Sequence, residues 1–147
     1  MHEKSIDILL VEDNPGDVFL TQEALLDSKI ANKLYDVKDG VEASDFLYKR
    51  APYQNVPTPD LILLDLNMPR KDGRQLLAEI KQDVQLRLIP VIVFTTSAAD
   101  EDILQSYGLH ANAYITKPID FHQFIQVIRA IDNFWFAVVK LPPLKRR

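Results

Sequence analysis

The residues with the clearest chemical potential are polar side chains that each follow a short apolar segment. They are Glu12 and Asp13 after the first segment, Asp65 at the end of the third, Thr95 after the fourth and Lys117 after the fifth. A carboxylate can attack phosphorus to form an aspartyl phosphate, while an ammonium and a hydroxyl can stabilise phosphoryl oxygens. This pattern favours phosphoryl transfer to Asp65, assisted by Lys117 and Thr95.

The three carboxylates also predict a metal site. Held together, they would repel one another and raise each other's pKa unless a cation neutralised them. An oxygen-only donor set without His or Cys favours a hard divalent ion. Mg²⁺ suits a site that must also meet phosphate, and Mn²⁺ can substitute.

Alternating strands and helices must position these side chains. We predict an α/β fold in which right-handed crossovers cover both faces of a parallel sheet, so that the strands' carboxyl ends share one edge. The predicted strands are residues 6–11, 34–38, 61–64, 91–94 and 113–115, and the predicted helices include residues 41–49 and 75–81.

Helix-start signals support this alternation. Asn14 suits an N-cap before Pro15, and the spacings of Ser97 with Asp100 and of Asp120 with Gln123 are typical of capping pairs. The first helix is expected to present an apolar stripe of Phe19, Leu20, Leu25 and Leu26.

Composition limits the function classes. The chain has 147 residues, a net charge of −4 and no cysteine. The length predicts one domain, the charge argues against nucleic acid or membrane as a partner, and the lack of cysteine excludes disulfides and thiolate sites. The N-terminus lacks an apolar run typical of a signal peptide, so a cytoplasmic location is expected.

The motifs resemble the receiver domain of two-component response regulators, over residues of about 6–131. The resemblance implies a flavodoxin-like, doubly wound five-stranded sheet of order 2-1-3-4-5 with five helices. The residues that carry it are Val11-Glu12-Asp13-Asn14, Leu64-Asp65-Leu66-Asn67-Met68-Pro69, Asp72-Gly73, Thr95 and Lys117-Pro118.

The same resemblance implies roles for individual residues. A histidine kinase would phosphorylate Asp65, and the metal would be bound by Glu12, Asp13, Asp65 and the backbone carbonyl of Asn67. The bond between Lys117 and Pro118 would be cis.

The resemblance also implies a conformational switch. The Thr95 hydroxyl would turn toward the phosphoryl group while Tyr114 rotates inward. Without the resemblance, Tyr114 is simply a half-buried strand tyrosine.

The C-terminal part exceeds a minimal receiver. The last helix should extend from about residue 121 past 131, with one core stripe that includes Phe124. Further apolar residues, including those in the extension at 132–147, favour homodimerisation. The alternative is that the extension folds back on its own domain. The predicted interface residues are Val127, Phe134, Trp135, Phe136 and Leu141.

A narrower resemblance points to the small response regulators paired with cyanobacterial phytochromes. It implies a light-regulated histidine kinase as the phosphoryl donor. The residues that carry it are the loop before Asp60, Thr95-Thr96-Ser97, Tyr114-Ile115-Thr116-Lys117, Phe134-Trp135-Phe136 and Leu141-Pro142.

Two other function classes compete. A phosphatase of the haloacid dehalogenase type also uses an aspartate nucleophile, but it needs a second aspartate two residues later, where this chain has Asn67. A degenerate receiver that only binds partners would have no need of the complete acidic site.

Overall fold

Five parallel strands form one sheet in the order β2-β1-β3-β4-β5. The computed structural model describes residues 5–27, 31–67, 72–96, 99–106, 108–117, 120, 122–124, 126, 127 and 130. The order and the parallel pairing confirm the predicted flavodoxin-like sheet. The strands are β1 (Ile6–Val11), β2 (Asn32–Val37), β3 (Leu61–Asp65), β4 (Val91–Thr95) and β5 (Ala113–Thr116).

Three strands continue one residue beyond their predicted ends. Asp65 pairs with Phe94, and Thr95 pairs with Thr116, so both polar residues belong to the sheet. A polar side chain does not end a strand while its backbone N–H and C=O groups still find partners. Asp65 and Thr95 are therefore the last residues of their strands, whereas Glu12 and Lys117 come directly after theirs.

Helices cover the sheet in the expected alternation. They are α1 (Pro15–Asp27), α2 (Gly40–Leu47), α3 (Gly73–Gln82) and α4 (Ala99–Ser106); the helical residues 122–124, 126–127 and 130 are called α5. A short 3₁₀ turn covers Leu86–Leu88.

Side-chain caps set several helix ends. The Asn14 carboxamide oxygen accepts the N–H of Asp17, and a carboxylate oxygen of Asp120 accepts that of Gln123, which confirms both predicted starts. Helix α3 begins two residues earlier than predicted because Asp72 and Gln75 form a reciprocal capping box. Ser97 lies outside the described residues.

Helix α2 is shorter than predicted. It begins at Gly40, where the Asp39 carboxylate accepts the N–H of Glu42, and it ends at Leu47. Lys49 has a φ of 57°, a left-handed conformation that cannot continue a helix.

The predicted apolar stripe of α1 is wrong at three of its four positions. Leu25 is buried, but Phe19, Leu20 and Leu26 are exposed. Thr21 and Ala24 share the buried face with Leu25, because positions three and four apart lie on one side of a helix. A prediction from hydrophobicity alone chose the wrong face of α1, because the buried face is narrow and includes a threonine.

The two faces of the sheet have separate apolar cores. Alternate strand residues such as Leu9 and Leu64 pack with Phe46 on one face, while Leu10 and Phe94 pack on the other. The second face also receives Phe124 of α5, whose ring lies 5.6 Å from that of Phe94. Burial of both faces is what a parallel sheet requires.

Among the described residues of the last helix, two contribute apolar side chains to the core. Phe124 is fully buried, as predicted for the core stripe of this helix. Val127, a predicted interface residue, is half-buried and packs against the same core, so it does not point away from the domain; its place in an interface stays a prediction. Phe134, Trp135, Phe136 and Leu141 lie outside the described residues.

Within the described part of the chain, no helix combines the length and the apolar character needed to cross a bilayer.

Gly73→Ala should reduce the free energy of unfolding by about 2–3 kcal/mol, as measured by urea denaturation. An added Cβ would lie 2.5 Å from the Leu66 Cα atom and 2.7 Å from the Asp65 carbonyl oxygen, and both are backbone atoms. Gly16→Ala is the control, because its Cβ meets only the Asn14 side chain at 3.1 Å. An equal loss in both variants would contradict a role for close backbone approach at Gly73.

Candidate functional site

The predicted chemical residues converge at the carboxyl edge of the sheet. Asp65 and Thr95 are the last residues of β3 and β4, while Glu12 follows β1 and Lys117 follows β5. Glu12, Asp65 and Thr95 are each at most 2% exposed. This arrangement confirms the predicted convergence and places two carboxylates almost out of contact with water.

The Lys117 ammonium connects these carboxylates. Its Nζ donates to Glu12 Oε1 at 2.9 Å, to Asp17 Oδ2 at 3.0 Å and to Asp65 Oδ2 at 3.3 Å. Its backbone N–H donates to the Thr95 carbonyl at 2.7 Å, which fixes where the side chain leaves the sheet. One cation thus offsets part of the charge of three acids.

Backbone groups satisfy the remaining oxygens. Asp65 Oδ1 accepts the N–H of Asn67 at 3.1 Å, and Glu12 Oε2 accepts the N–H of Asn14 at 3.2 Å. These contacts fix the orientation of each carboxylate.

The pKa values show that the charges are only partly balanced. Burial raises the pKa of Glu12 to about 7; the hydrogen bond from Lys117 opposes this rise, and the charge of Asp65 adds to it. Burial alone lowers the pKa of Lys117, but its bonds to Glu12 and Asp17 outweigh that effect and raise it above the ordinary value. The site therefore favours a further cation.

Glu12, Asp13 and Asp65 fit a divalent metal ion. One carboxylate oxygen from each residue lies within 4.8 Å of the others. Hard ions such as Mg²⁺ and Mn²⁺ prefer such oxygen ligands. Asp13 is exposed and opens the cluster to solvent, which leaves room for water ligands. The carbonyl of Asn67 as a further ligand stays a prediction.

The polar groups beside Asp65 are already engaged. Thr95 Oγ1 donates to Asp100 Oδ2 at 2.6 Å, and Asn67 Nδ2 donates to Thr96 Oγ1 at 3.2 Å. The neighbour of Asp65 two residues along the chain is therefore an amide engaged with a hydroxyl. It is not a carboxyl group that could transfer protons.

Tyr114, the predicted switch residue, is half-buried on β5. Its ring packs against the apolar core, and its hydroxyl oxygen accepts the N–H of Ala111 at 3.0 Å. In this position Tyr114 matches the alternative interpretation, a half-buried strand tyrosine without a special function. Its role in switching stays a prediction.

The structure brings two further acids into this site that the sequence patterns do not indicate. Asp17 belongs to the start of α1, yet it also pairs with Lys117. Asp100 has the spacing of a capping partner of Ser97, yet it binds Thr95 and Arg74. An acidic residue in the first turn of a helix is already explained by its favourable interaction with the helix dipole. Its position in the sequence therefore gives no sign of a second contact. The Lys117–Pro118 bond lies outside the described residues.

Comparisons with known proteins point to one family. Residues 8–129 match the response regulator receiver domain. Response regulator Rcp1 of Synechocystis sp. is 47% identical over 135 residues, which cover 92% of this chain and 92% of that protein.

Two solved structures are similar along most of the chain. The phosphorylated cyanobacterial phytochrome response regulator RcpA matches with a TM-score of 0.77 and 48% identity, covering 91% of this chain and 96% of that one. The Mn²⁺-bound form of Rcp1 matches with a TM-score of 0.76 and 47% identity, covering 93% and 99%.

Lys117→Met should lower the free energy of unfolding by roughly 3 kcal/mol at about pH 8 in metal-free buffer, because buried carboxylates lose their counter-charge. The loss should shrink toward about pH 5.5. The pKa of folded Glu12, about 7, lies above its unfolded value of 4.5, so the folded protein takes up a proton first as the pH falls. Protonation then relieves the unpaired charge.

Urea denaturation at the two pH values measures this effect, with Lys38→Met as the control. Lys38 is exposed, and its backbone rather than its ammonium makes the contact with Glu42. A loss that does not change with pH would contradict the assignment of Lys117 as counter-charge to Glu12.

Proposed function

The chain belongs to the response regulator receiver domain family, and from this premise we propose that Asp65 accepts a phosphoryl group from a histidine kinase. The observation that carries the proposal is the buried contact between Asp65 and Lys117, 3.3 Å long, beside Glu12 and Asp13. A buried aspartate with a lysine and two further acids is costly for a fold. Phosphoryl transfer gives that arrangement a use.

In this proposal the Asp65 carboxylate is the nucleophile. A bond forms from one of its oxygens to phosphorus as the phosphorus–nitrogen bond of a phosphohistidine breaks. The histidine ring nitrogen leaves with the electron pair, and the product is a mixed anhydride. The hydrogen bond from the Asn67 N–H holds the carboxylate in one orientation for this attack.

Lys117 and Thr95 complete the acceptor site. Lys117 Nζ is within reach of Asp65, so it can follow the negative charge from the carboxylate to a phosphoryl oxygen. The Thr95 hydroxyl lies at the end of the neighbouring strand and can donate to a second oxygen after it rotates. Both groups have fixed backbone positions before the reaction.

A divalent cation fits the acids of this site. Mg²⁺, held by Glu12, Asp13, Asp65 and the Asn67 carbonyl, would neutralise phosphoryl charge when bound, and Mn²⁺ would suit the same oxygens. The raised pKa of Glu12 supports this part of the proposal, since Lys117 alone leaves the cluster undercompensated.

The signal would leave through β4 and β5. When Thr95 turns to the phosphoryl group, Tyr114 would move inward to fill the space. Tyr114 pairs in register with Val93, two residues before Thr95 on the neighbouring strand, and is half-buried. The two arrangements are populations of one equilibrium, which phosphorylation shifts.

The relatives favour a particular kinase. The names of Rcp1 and RcpA connect those proteins with response regulation, and RcpA with cyanobacterial phytochrome. Identities of 47% and 48% over nearly the whole chain support a phytochrome histidine kinase as the donor. A cytoplasmic location accompanies this proposal.

A phosphatase of the haloacid dehalogenase type is less well supported. Its leaving group needs a proton from a carboxyl group two residues beyond the nucleophile, and Asn67 occupies that place, donating to Thr96. Without that proton donor, Asp65 would accept a phosphoryl group but would not rapidly turn over external phosphoesters.

A single phosphoryl adduct should form on the wild-type protein incubated with acetyl phosphate and Mg²⁺, as measured by intact mass spectrometry. Asp65→Asn should give none, because an amide is not a nucleophile here. Asp36→Asn is the matched control, since Asp36 is an exposed carboxylate on β2. Addition of a chelator should prevent the adduct.

The alternatives predict other results in the same experiment. Absence of an adduct on the wild-type protein would leave an interaction module without phosphorylation. Sustained release of phosphate from p-nitrophenyl phosphate that depends on Asp65 would favour the phosphatase.

A homodimer through the C-terminal extension completes the proposal. Trp135→Ala together with Phe136→Ala should weaken self-association at least about tenfold, because large aromatic side chains carry much of the energy of an interface. Light scattering after size exclusion, over a range of concentrations, measures this. Lys140→Ala is the control. A wild-type monomer at every concentration would favour an extension that folds back.

A further inference from the structure

The hydroxyl of Thr95 is engaged by a carboxylate of α4 that lies outside the acidic cluster of Glu12, Asp13 and Asp65. Thr95 Oγ1 donates to Asp100 Oδ2 at 2.6 Å, a short bond that an ionised acceptor strengthens. A threonine hydroxyl has one hydrogen to donate. That hydrogen cannot serve Asp100 and a phosphoryl oxygen at the same time.

Asp100 is itself held from a second helix. Its other oxygen, Oδ1, accepts from Arg74 Nη2 of α3 at 3.0 Å, so the carboxylate connects β4 with α3 from its place on α4. The Asp100 side chain is 13% exposed and that of Arg74 is 36% exposed. The more buried bond is therefore the one to Thr95, which is 1% exposed.

We propose that Asp100 is a positioning residue that holds the Thr95 hydroxyl away from Asp65 in the unphosphorylated protein, and that Arg74 retains the Asp100 carboxylate when Thr95 leaves. This inference rests on the proposed phosphorylation of Asp65. It adds Asp100 to the site as a competing acceptor for the Thr95 hydroxyl. It also gives α3, which carries Arg74, a part in the exchange.

In this exchange the Thr95 hydroxyl replaces one charged acceptor, Asp100, by another, the phosphoryl group. Phosphorylation at Asp65 offers Thr95 a new charged acceptor, and the hydroxyl must give up one charge-assisted bond to make another. The net gain is small because the two bonds are alike, so the equilibrium is sensitive to Asp100. Arg74 lowers the cost of the exchange, since without it the released carboxylate would lose both partners.

The experiment measures binding of beryllium trifluoride, a stand-in for the phosphoryl group, in the presence of Mg²⁺ by calorimetry. Asp100→Ala should tighten the apparent affinity about three- to tenfold, because the hydroxyl is no longer held back. Arg74→Gln should weaken it about two- to threefold, because Asp100 would be left unpaired. In the Asp100→Ala background, Arg74→Gln should have no further effect.

Two controls separate positioning from simple charge removal. Asp102→Ala removes an exposed acid from the same first turn of α4 and should leave the affinity within about twofold. In a Thr95→Val background, Asp100→Ala should no longer tighten binding. If it tightens binding equally with and without the hydroxyl, Asp100 acts only through its charge and the positioning role is overturned.

Failure of the proposed function and failure of the positioning role give different results. Absence of Mg²⁺-dependent binding to the wild-type protein would overturn the proposed function itself. Binding to the wild-type protein that the Asp100 and Arg74 variants leave unchanged would overturn only the positioning role. Asp100→Asn, which keeps an acceptor and loses the charge, should fall between the wild-type protein and Asp100→Ala.

Discussion

The fold brings negative charge to a place where water hardly reaches, and Lys117 is the positive charge that makes this tolerable. In a sheet of order 2-1-3-4-5, β5 is two strands away from β3, roughly 10 Å at the usual strand spacing. Lys117 therefore has to reach across the end of β4 to contact Asp65 and Glu12. The bond from its backbone N–H to the Thr95 carbonyl supports this reach, because it continues the pairing of β4 with β5 up to the residue that carries the charge.

A single lysine leaves the site with an excess of negative charge. This excess favours binding of a divalent cation and thereby the proposed phosphoryl transfer. The pKa of about 7 for Glu12 shows that burial and Asp65 outweigh the help from Lys117. A metal cation bound to Glu12, Asp13 and Asp65 would neutralise part of the carboxylate charge that Lys117 otherwise balances alone. Its ammonium would then be available for phosphoryl oxygens, while Asp17 keeps it near the site. The same side chain would thus stabilise the resting protein and the phosphorylated one.

The sequence patterns predicted the parallel sheet and the convergence of Glu12, Asp65, Thr95 and Lys117, because these depend on the strongest patterns in the chain. The strand order came from the resemblance to receiver domains. In a parallel α/β fold, apolar runs that end in Glu12, Asp65 or Lys117 bring these residues to the carboxyl edge of the sheet. The predictions failed where a weaker signal decided the outcome. The buried face of α1 is defined by Thr21, Ala24 and Leu25, and overall hydrophobicity favoured Phe19 and Leu26 instead. The second roles of Asp17 and Asp100 depend on side-chain directions across two elements, which spacing along one helix does not show.

Asp17 and Asp100 give the site two opposite attachments. Asp17 draws Lys117 toward α1, and Asp100 draws the Thr95 hydroxyl toward α4, so the two groups that would meet a phosphoryl oxygen are each held by a carboxylate outside the acidic cluster. Each attachment is a charge-assisted hydrogen bond, similar in kind to the bond that a phosphoryl oxygen would offer. Exchange between similar bonds has a small free-energy difference, which is the condition for a two-state equilibrium that one covalent group can reverse. Because the attachments lie on helices, a phosphoryl group at Asp65 would act on α1 and α4 as well as on the side chains of β4 and β5.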